Sequence, residues 1–202
     1  MGIFDFFKRK PAAAPSLGLK PTAQMVADAQ RACQEMLALI EGELVASGAF
    51  KPEKIPELMA KLRKGVVPFT RIDSSRALAG DTLLTLEEKR TLGLNTRAKY
   101  TREFIDCCNP ETFAEADPRD VIGTITLRAY HRIHQAESLR ELKGTGIVRA
   151  VKITISGSPL DACENAIKES ARTFSLDNAP ELPLPGCDAE VCMCDYTPIL
   201  KG

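Results

Sequence analysis

Three of the seven cysteines in this chain of 202 residues crowd into one stretch, Leu-Pro-Leu-Pro-Gly-Cys-Asp-Ala-Glu-Val-Cys-Met-Cys-Asp-Tyr, from Leu182 to Tyr196. Prolines and a glycine turn the chain just before Cys187, and Cys192 and Cys194 follow at close spacing. A fourth thiol, Cys163, lies upstream in Asp-Ala-Cys-Glu-Asn-Ala, at the start of a short helical pattern. Four thiols converging on one loop can close a tetrahedral metal site, most simply zinc held by deprotonated sulfur. Cys192 and Cys194 can chelate one ion if Met193 turns outward, and a helix start at Cys163 favours the thiolate. The spacing is not that of paired CxxC ribbons. Three thiolates with a different fourth ligand, and free or redox-active thiols, therefore stay open beside the four-thiolate reading.

Whether these cysteines form disulfides depends on the compartment. No apolar run is long enough to span a bilayer. Residues 1–10 place their charge after the apolar residues, unlike a secretory signal. The expected location is cytoplasmic, with an optional peripheral position at the inner face of the membrane. There a clustered thiol set reads as metal-binding or catalytic rather than as a disulfide framework. Apolar residues make up 44% and charged residues 27% of the chain, as in a soluble globular protein with a core of useful size. Lys+Arg and Asp+Glu both number 27, so net charge marks out neither nucleic acid nor a strongly acidic surface as partner. The balance hides a split: residues 51–102 carry 12 basic and 6 acidic residues, and residues 103–196 carry 9 and 16. The basic half contains Arg71, Arg76, Arg90, Arg97 and Arg102, and nucleic acid is not the expected partner.

The N-terminal segment, Met-Gly-Ile-Phe-Asp-Phe-Phe-Lys-Arg-Lys, is apolar and then basic. On a helix Ile3, Phe4 and Phe7 share one face, and Lys8, Arg9 and Lys10 stand at its end. Aromatic residues of this kind enter the headgroup boundary while cations face anionic lipid, so a membrane or partner contact is expected here. A frayed end, or one packed on its own body, is the competing reading. Residues 11–20 (Pro-Ala-Ala-Ala-Pro-Ser-Leu-Gly-Leu-Lys) read as an exposed linker.

The body from 21 to 146 reads as helical. Thr22 caps a helix running to about Ala46, with Met25, Ala29, Ala32, Cys33, Met36, Leu37, Ile40 and Leu44 at three- and four-residue steps and Gly48 as its stop. A second helix is predicted over 53–64, with Leu58, Met59 and Leu62 inward. Residues 66–81 have no clean period. Thr85 and Glu88 form a capping box. Asn95 is expected to cap a helix holding Ala98, Tyr100, Phe104, Ile105 and Cys108. Cys107 and Cys108 point about 100° apart on a helix and make poor joint ligands. Asp117-Pro118 opens the last body helix, which ends at Gly144, although residues 121–126 are β-branched enough for a strand. Residues 147–155 alternate as a strand, residues 160–172 form a short helix bearing Cys163, and residues 179–185 are extended. His131 and His134, the only histidines, sit three apart on a helix with Glu137 one turn on. They are an alternative metal or acid–base pair without a third ligand placed by sequence. Nucleophile elbow, phosphate loop and dinucleotide fingerprint are absent from the sequence.

The order strand, Cys163, helix, Phe174, Ala179-Pro180, Leu182-Pro183-Leu184-Pro185-Gly186-Cys187, Cys192-x-Cys194-x-Tyr196 resembles a small cysteine-rich module at the ends of uncharacterised bacterial proteins. It is distantly similar to the closing Cys-x-Cys segment of phage head-morphogenesis proteins. The resemblance spans residues 148–198 and implies no established activity. Met193 and Asp195 stand where that module carries basic residues, which argues against nucleic acid. The combined expectation is a mainly α protein. A segment and linker over 1–20 lead into a helical domain over 21–146, and a strand–helix–loop module over 147–202 is closed by Cys163, Cys187, Cys192 and Cys194 around structural zinc. Its expected role is non-enzymatic binding or scaffolding with a protein partner or a second copy. A redox or metal-dependent enzyme using the C-terminal thiols or His131 and His134 is the alternative.

Overall fold

Two long antiparallel helices set the frame. In the computed structural model, which describes residues 22–64, 66, 67, 70–155, 163–187, 189, 192 and 194–202, helix α1 runs Ala23–Ser47. Its ends are local bonds. Thr22 Oγ1 accepts from the Met25 N–H, and Gly48 takes a left-handed φ of 64° that turns the chain away. Ala29, Ala32, Met36, Ile40 and Leu44 are buried along one stripe; Met25 lies outside it, exposed at the overhanging first turn. Cys33 is only half-buried rather than a core residue.

Helix α2 (Ile55–Arg63) follows a 3-10 turn at Pro52–Lys54 and buries Ile55, Leu58, Met59 and Leu62. The described part of residues 66–81 is loop with one 3-10 turn, Ser74–Arg76. Helix α3 (Leu86–Thr91) opens on the expected reciprocal bonds of Thr85 and Glu88.

The helix expected behind Asn95 does not form. Asn95 Oδ1 accepts from the Arg97 N–H in a turn, and no helix begins before Arg102. There the Tyr100 carbonyl accepts from Leu84 N–H, and the Arg102 N–H donates to Thr82, so the backbone bonds of this stretch go across the chain. Helix α4 is only Arg102–Ile105, capped by Thr101, whose buried hydroxyl also donates to Leu78 O at 2.8 Å. Behind that corner Gly80 has no room for a side chain. A Cβ there would meet the Glu103 carboxylate and approach Thr101 Cβ to 2.9 Å. The β-branched neighbour cannot swing away, and moving Glu103 breaks its bond from the Asp81 N–H. Gly80→Ala is therefore expected to lower stability by about 1–3 kcal/mol in urea unfolding. An unchanged midpoint would show that the corner relaxes freely.

Helix α5 (Pro118–Gly144) is one continuous helix, including the β-branched stretch at its start. Asp117 caps it and also accepts from the Tyr100 hydroxyl, while the Arg119 guanidinium lies 5.6 Å from the Tyr100 ring. Its first half gives Ile122, Ile125 and Ala129 to the body core of Ile40, Leu44, Phe50, Leu58, Leu62, Tyr100 and Phe104. Buried Glu137 binds Arg140 on its own helix and lies 3.6 Å from Arg31 of α1.

The second half of α5 faces a three-stranded antiparallel sheet. Strand β1 (Val148–Ile155) is central, between β2 (Thr173–Ser175) and β3 (Cys194–Leu200). Helix α6 (Glu164–Ser170) packs on β1. A second core gathers Val148, Val151, Ile153, Ala166, Leu182, Leu184, Tyr196 and three cysteines, with Leu139 and Leu142 of α5 packed against it. Helix α5 thus belongs to both cores. Strands β2 and β3 were not expected from the sequence. Pro198 and the crowding of thiols conceal the alternation of Cys194 and Tyr196 inward against Asp195 and Thr197.

Candidate metal centre

Each of the four expected thiols is held by a different device. Cys163 is the N-cap of α6, its Sγ accepting from the Ala166 N–H at 3.3 Å. Cys187 follows the turn made by Pro185 and Gly186. There a glycine φ of 71° lets the Cys187 N–H reach the Leu184 carbonyl at 3.0 Å. Asn165 of α6 donates to the Pro185 carbonyl at 3.1 Å and ties that turn to the helix carrying Cys163. Cys194 is the first residue of β3, opposite Ile155 of β1, and Cys192 lies just ahead of it. The Tyr196 hydroxyl bonds the Pro180 carbonyl at 2.5 Å, holding the incoming chain against the strand. Cys194 thus stands on a strand rather than in a loop.

The four thiols come together from these separate segments. Cys163, Cys192 and Cys194 are buried in one cluster, and Cys187 packs against it. Cys163, Cys192 and Cys194 are buried, Cys187 is half-buried, and all are free thiols. They form a cluster rather than a closed cage: no three His, Cys, Asp or Glu among the described residues stand ready as a metal-holding group. The donor chemistry suits a soft or borderline metal such as zinc, and enclosing one requires the sulfurs to draw together.

Burial and the neighbouring thiols both act on the protonation of the cluster, and burial dominates at Cys163. It raises the Cys163 thiol above its ordinary range, outweighing the opposing Ala166 N–H, so the expected helix-start advantage is lost. Cys192 and Cys194 titrate as a pair. Their proximity raises the Cys192 thiol and lowers the Cys194 thiol, leaving Cys194 the first of the two to ionise.

The remaining candidates fall elsewhere. Cys107 and Cys108 are fully buried in the body and donate to the Glu103 and Phe104 carbonyls. His131 and His134 flank the Tyr130 ring at 5.8 and 5.6 Å between centroids. Burial lowers the His131 pKa against the pull of Asp195, and the imidazole is held neutral. Arg76 donates to the Lys64 carbonyl and Arg102 pairs with Glu88, so neither stands as an unengaged phosphate contact. Ile3, Phe4, Phe7, Lys8, Arg9 and Lys10 lie outside the described residues.

Residues with no motif around them tie the module to the body. Gln135 of α5 donates to Asp195 of β3, and Arg128 Nη2 donates to the Ala189 carbonyl at 3.3 Å. Sequence reading missed both because the partners are 60 and 61 residues apart. Neither a family model, nor a curated protein, nor a solved structure matches the chain. No described helix is long and apolar enough to cross a membrane.

Proposed function

We propose that this chain is a non-enzymatic binding or scaffold protein of bacterial or phage-related type, its C-terminal module stapled by a structural zinc on Cys163, Cys187, Cys192 and Cys194. The convergence of these thiols from the α6 cap, the Gly186 turn and the start of β3 is the observation that carries the reading. The small sheet has few large side chains and gains most from a staple. Zinc would supply cross-linking of these segments. The residues themselves hold the geometry: Asn165 and Tyr196 fix the turn and strand, and burial keeps water from Cys163, Cys192 and Cys194 while Cys187 stays half-buried.

Metal analysis of the purified protein is expected to give about one zinc per chain, with four thiols released to titration when the metal is chelated. A metal-free chain with four freely titrating thiols would sink the proposal. The neighbouring free thiols Cys192 and Cys194 favour one second reading, a thiol redox role of this pair. That reading requires fast alkylation of Cys194 in the native protein, which a closed zinc site prevents.

The partner contact is assigned to the N-terminal segment on its residue pattern. Deleting residues 1–10 is expected to remove binding to vesicles rich in anionic lipid while leaving the melting temperature unchanged. Equal binding by both chains would end the membrane contact.

A further inference from the structure

Helix α5 feeds the body core with one part of its length and meets the cysteine module with another. Arg128 holds the Ala189 carbonyl, between Cys187 and Cys192 in sequence. One turn along the same face, Arg132 lies 3.8 Å from Glu181. These two guanidinium groups and the thiols Cys187 and Cys192 line one cavity of about 410 Å³, together with Glu43 of α1. The Arg132 and Glu181 side chains are 53% and 86% exposed, so water screens that pair, and Arg128 is the cation held closest to the thiol loop by a direct bond. Burial disfavours the charged form of Glu43 even beside both arginines.

Four thiolates around one divalent cation carry a net charge of about −2, and such a charge inside a protein needs compensation from surrounding groups. Among the described residues that line this cavity, the cations are Arg128 and Arg132 and the carboxylates are Glu43 and Glu181. We infer that Arg128 and Arg132 are positioning residues of the thiol centre. They hold the backbone between two ligands and offset the thiolate charge, so that zinc occupancy and docking of the cysteine module on α5 reinforce each other. This inference rests on the zinc reading above. Because coupling is reciprocal, whatever loosens α5 from the module weakens zinc, and zinc tightens α5 against the module. Metal status would thereby be communicated to the helical body, which a staple confined to the module would not do.

The test uses the full chain loaded with zinc and an excess of a chromophoric chelator. Release is expected to be about tenfold faster in Arg128→Gln and faster again in Arg128→Gln/Arg132→Gln, within the 10- to 100-fold range of outer-shell partners. Arg132→Lys keeps the charge and is expected to release zinc as slowly as the parent chain. Arg63→Gln removes a cation paired with Glu41 and serves as the control without effect. Release within twofold of the parent in both glutamine variants, with zinc loaded, overturns the inference. If those variants do not fold, hydrogen exchange of the parent chain decides. Zinc should slow exchange of α5 amides around residues 128–135, and no change there overturns the inference. A parent chain that takes up no zinc overturns the metal reading itself, and the metal content before chelator addition tells this apart from the other outcomes.

Discussion

Replacing any one of Cys163, Cys187, Cys192 or Cys194 with serine is expected to abolish stoichiometric zinc and unfold the C-terminal module. A serine hydroxyl does not ionise near neutral pH and leaves the ion three thiolates. Structural zinc contributes apparent binding free energy on the order of 10 kcal/mol, which in a small module is folding free energy. The measurement pairs metal content with hydrogen exchange over β1, α6 and β3. Cys33→Ser, Cys107→Ser and Cys108→Ser are expected to keep the metal. The last two should still cost stability, because both residues are fully buried and the smaller, more polar hydroxyl fills the site less well even with the Glu103 and Phe104 carbonyls as acceptors. If Cys163→Ser retains zinc at parental affinity, the four-thiolate centre is wrong. A three-thiolate site with another ligand then replaces it.

Phe104→Ala is expected to destabilise the helical body by about 3–5 kcal/mol, a large part of the 5–15 kcal/mol typical of a domain. Phe104 is fully buried, with the Phe50 ring 6.3 Å away at a tilted angle. It sits on the four-residue helix α4, whose ends are pinned by the Arg102 N–H bond to Thr82 O and the Lys51 N–H bond to Cys107 O, so the segment cannot readily shift to fill the void. Urea unfolding should show a lower midpoint, and zinc content per folded chain should stay at one. A loss below 1 kcal/mol would mean that Phe104 is not in the body core. Loss of zinc in the folded variant would mean that the two cores are not separable.

The contrast between these variants follows from how the chain is built. Ile122 and Ile125 serve the body core and Leu139 and Leu142 the module, all on α5. Among the described residues, damage in either core reaches the other through this helix and the bonds of Arg128, Arg132, Gln135 and Lys143 to the module. Of these, Lys143 and Asp177 stand 3.5 Å apart with Asp177 92% exposed, and the pair contributes little.

The ends of the long elements were legible in the sequence because caps are bonds between near neighbours. Thr22 to Met25, Thr85 with Glu88, and Asp117 before Pro118 each close within three residues, and each begins a helix where the residue types demand it. The alternation of residues 147–155 named β1 for the same reason, since a strand's two faces are written at period two. Asn95 shows the limit. Its side chain does cap a turn, but the backbone beyond it pairs with residues 82–84, and a remote partner outbid the local signal. By itself, then, the sequence determined the helical frame, the central strand and the set of thiols able to ligate. Tertiary structure alone decided that Cys194 begins a strand paired with Ile155, that burial raises Cys163 despite its cap, and that Arg128 meets Ala189. Those outcomes depend on segments separated by tens of residues, whose meeting is fixed by the packing of two cores against α5 and by no local bond.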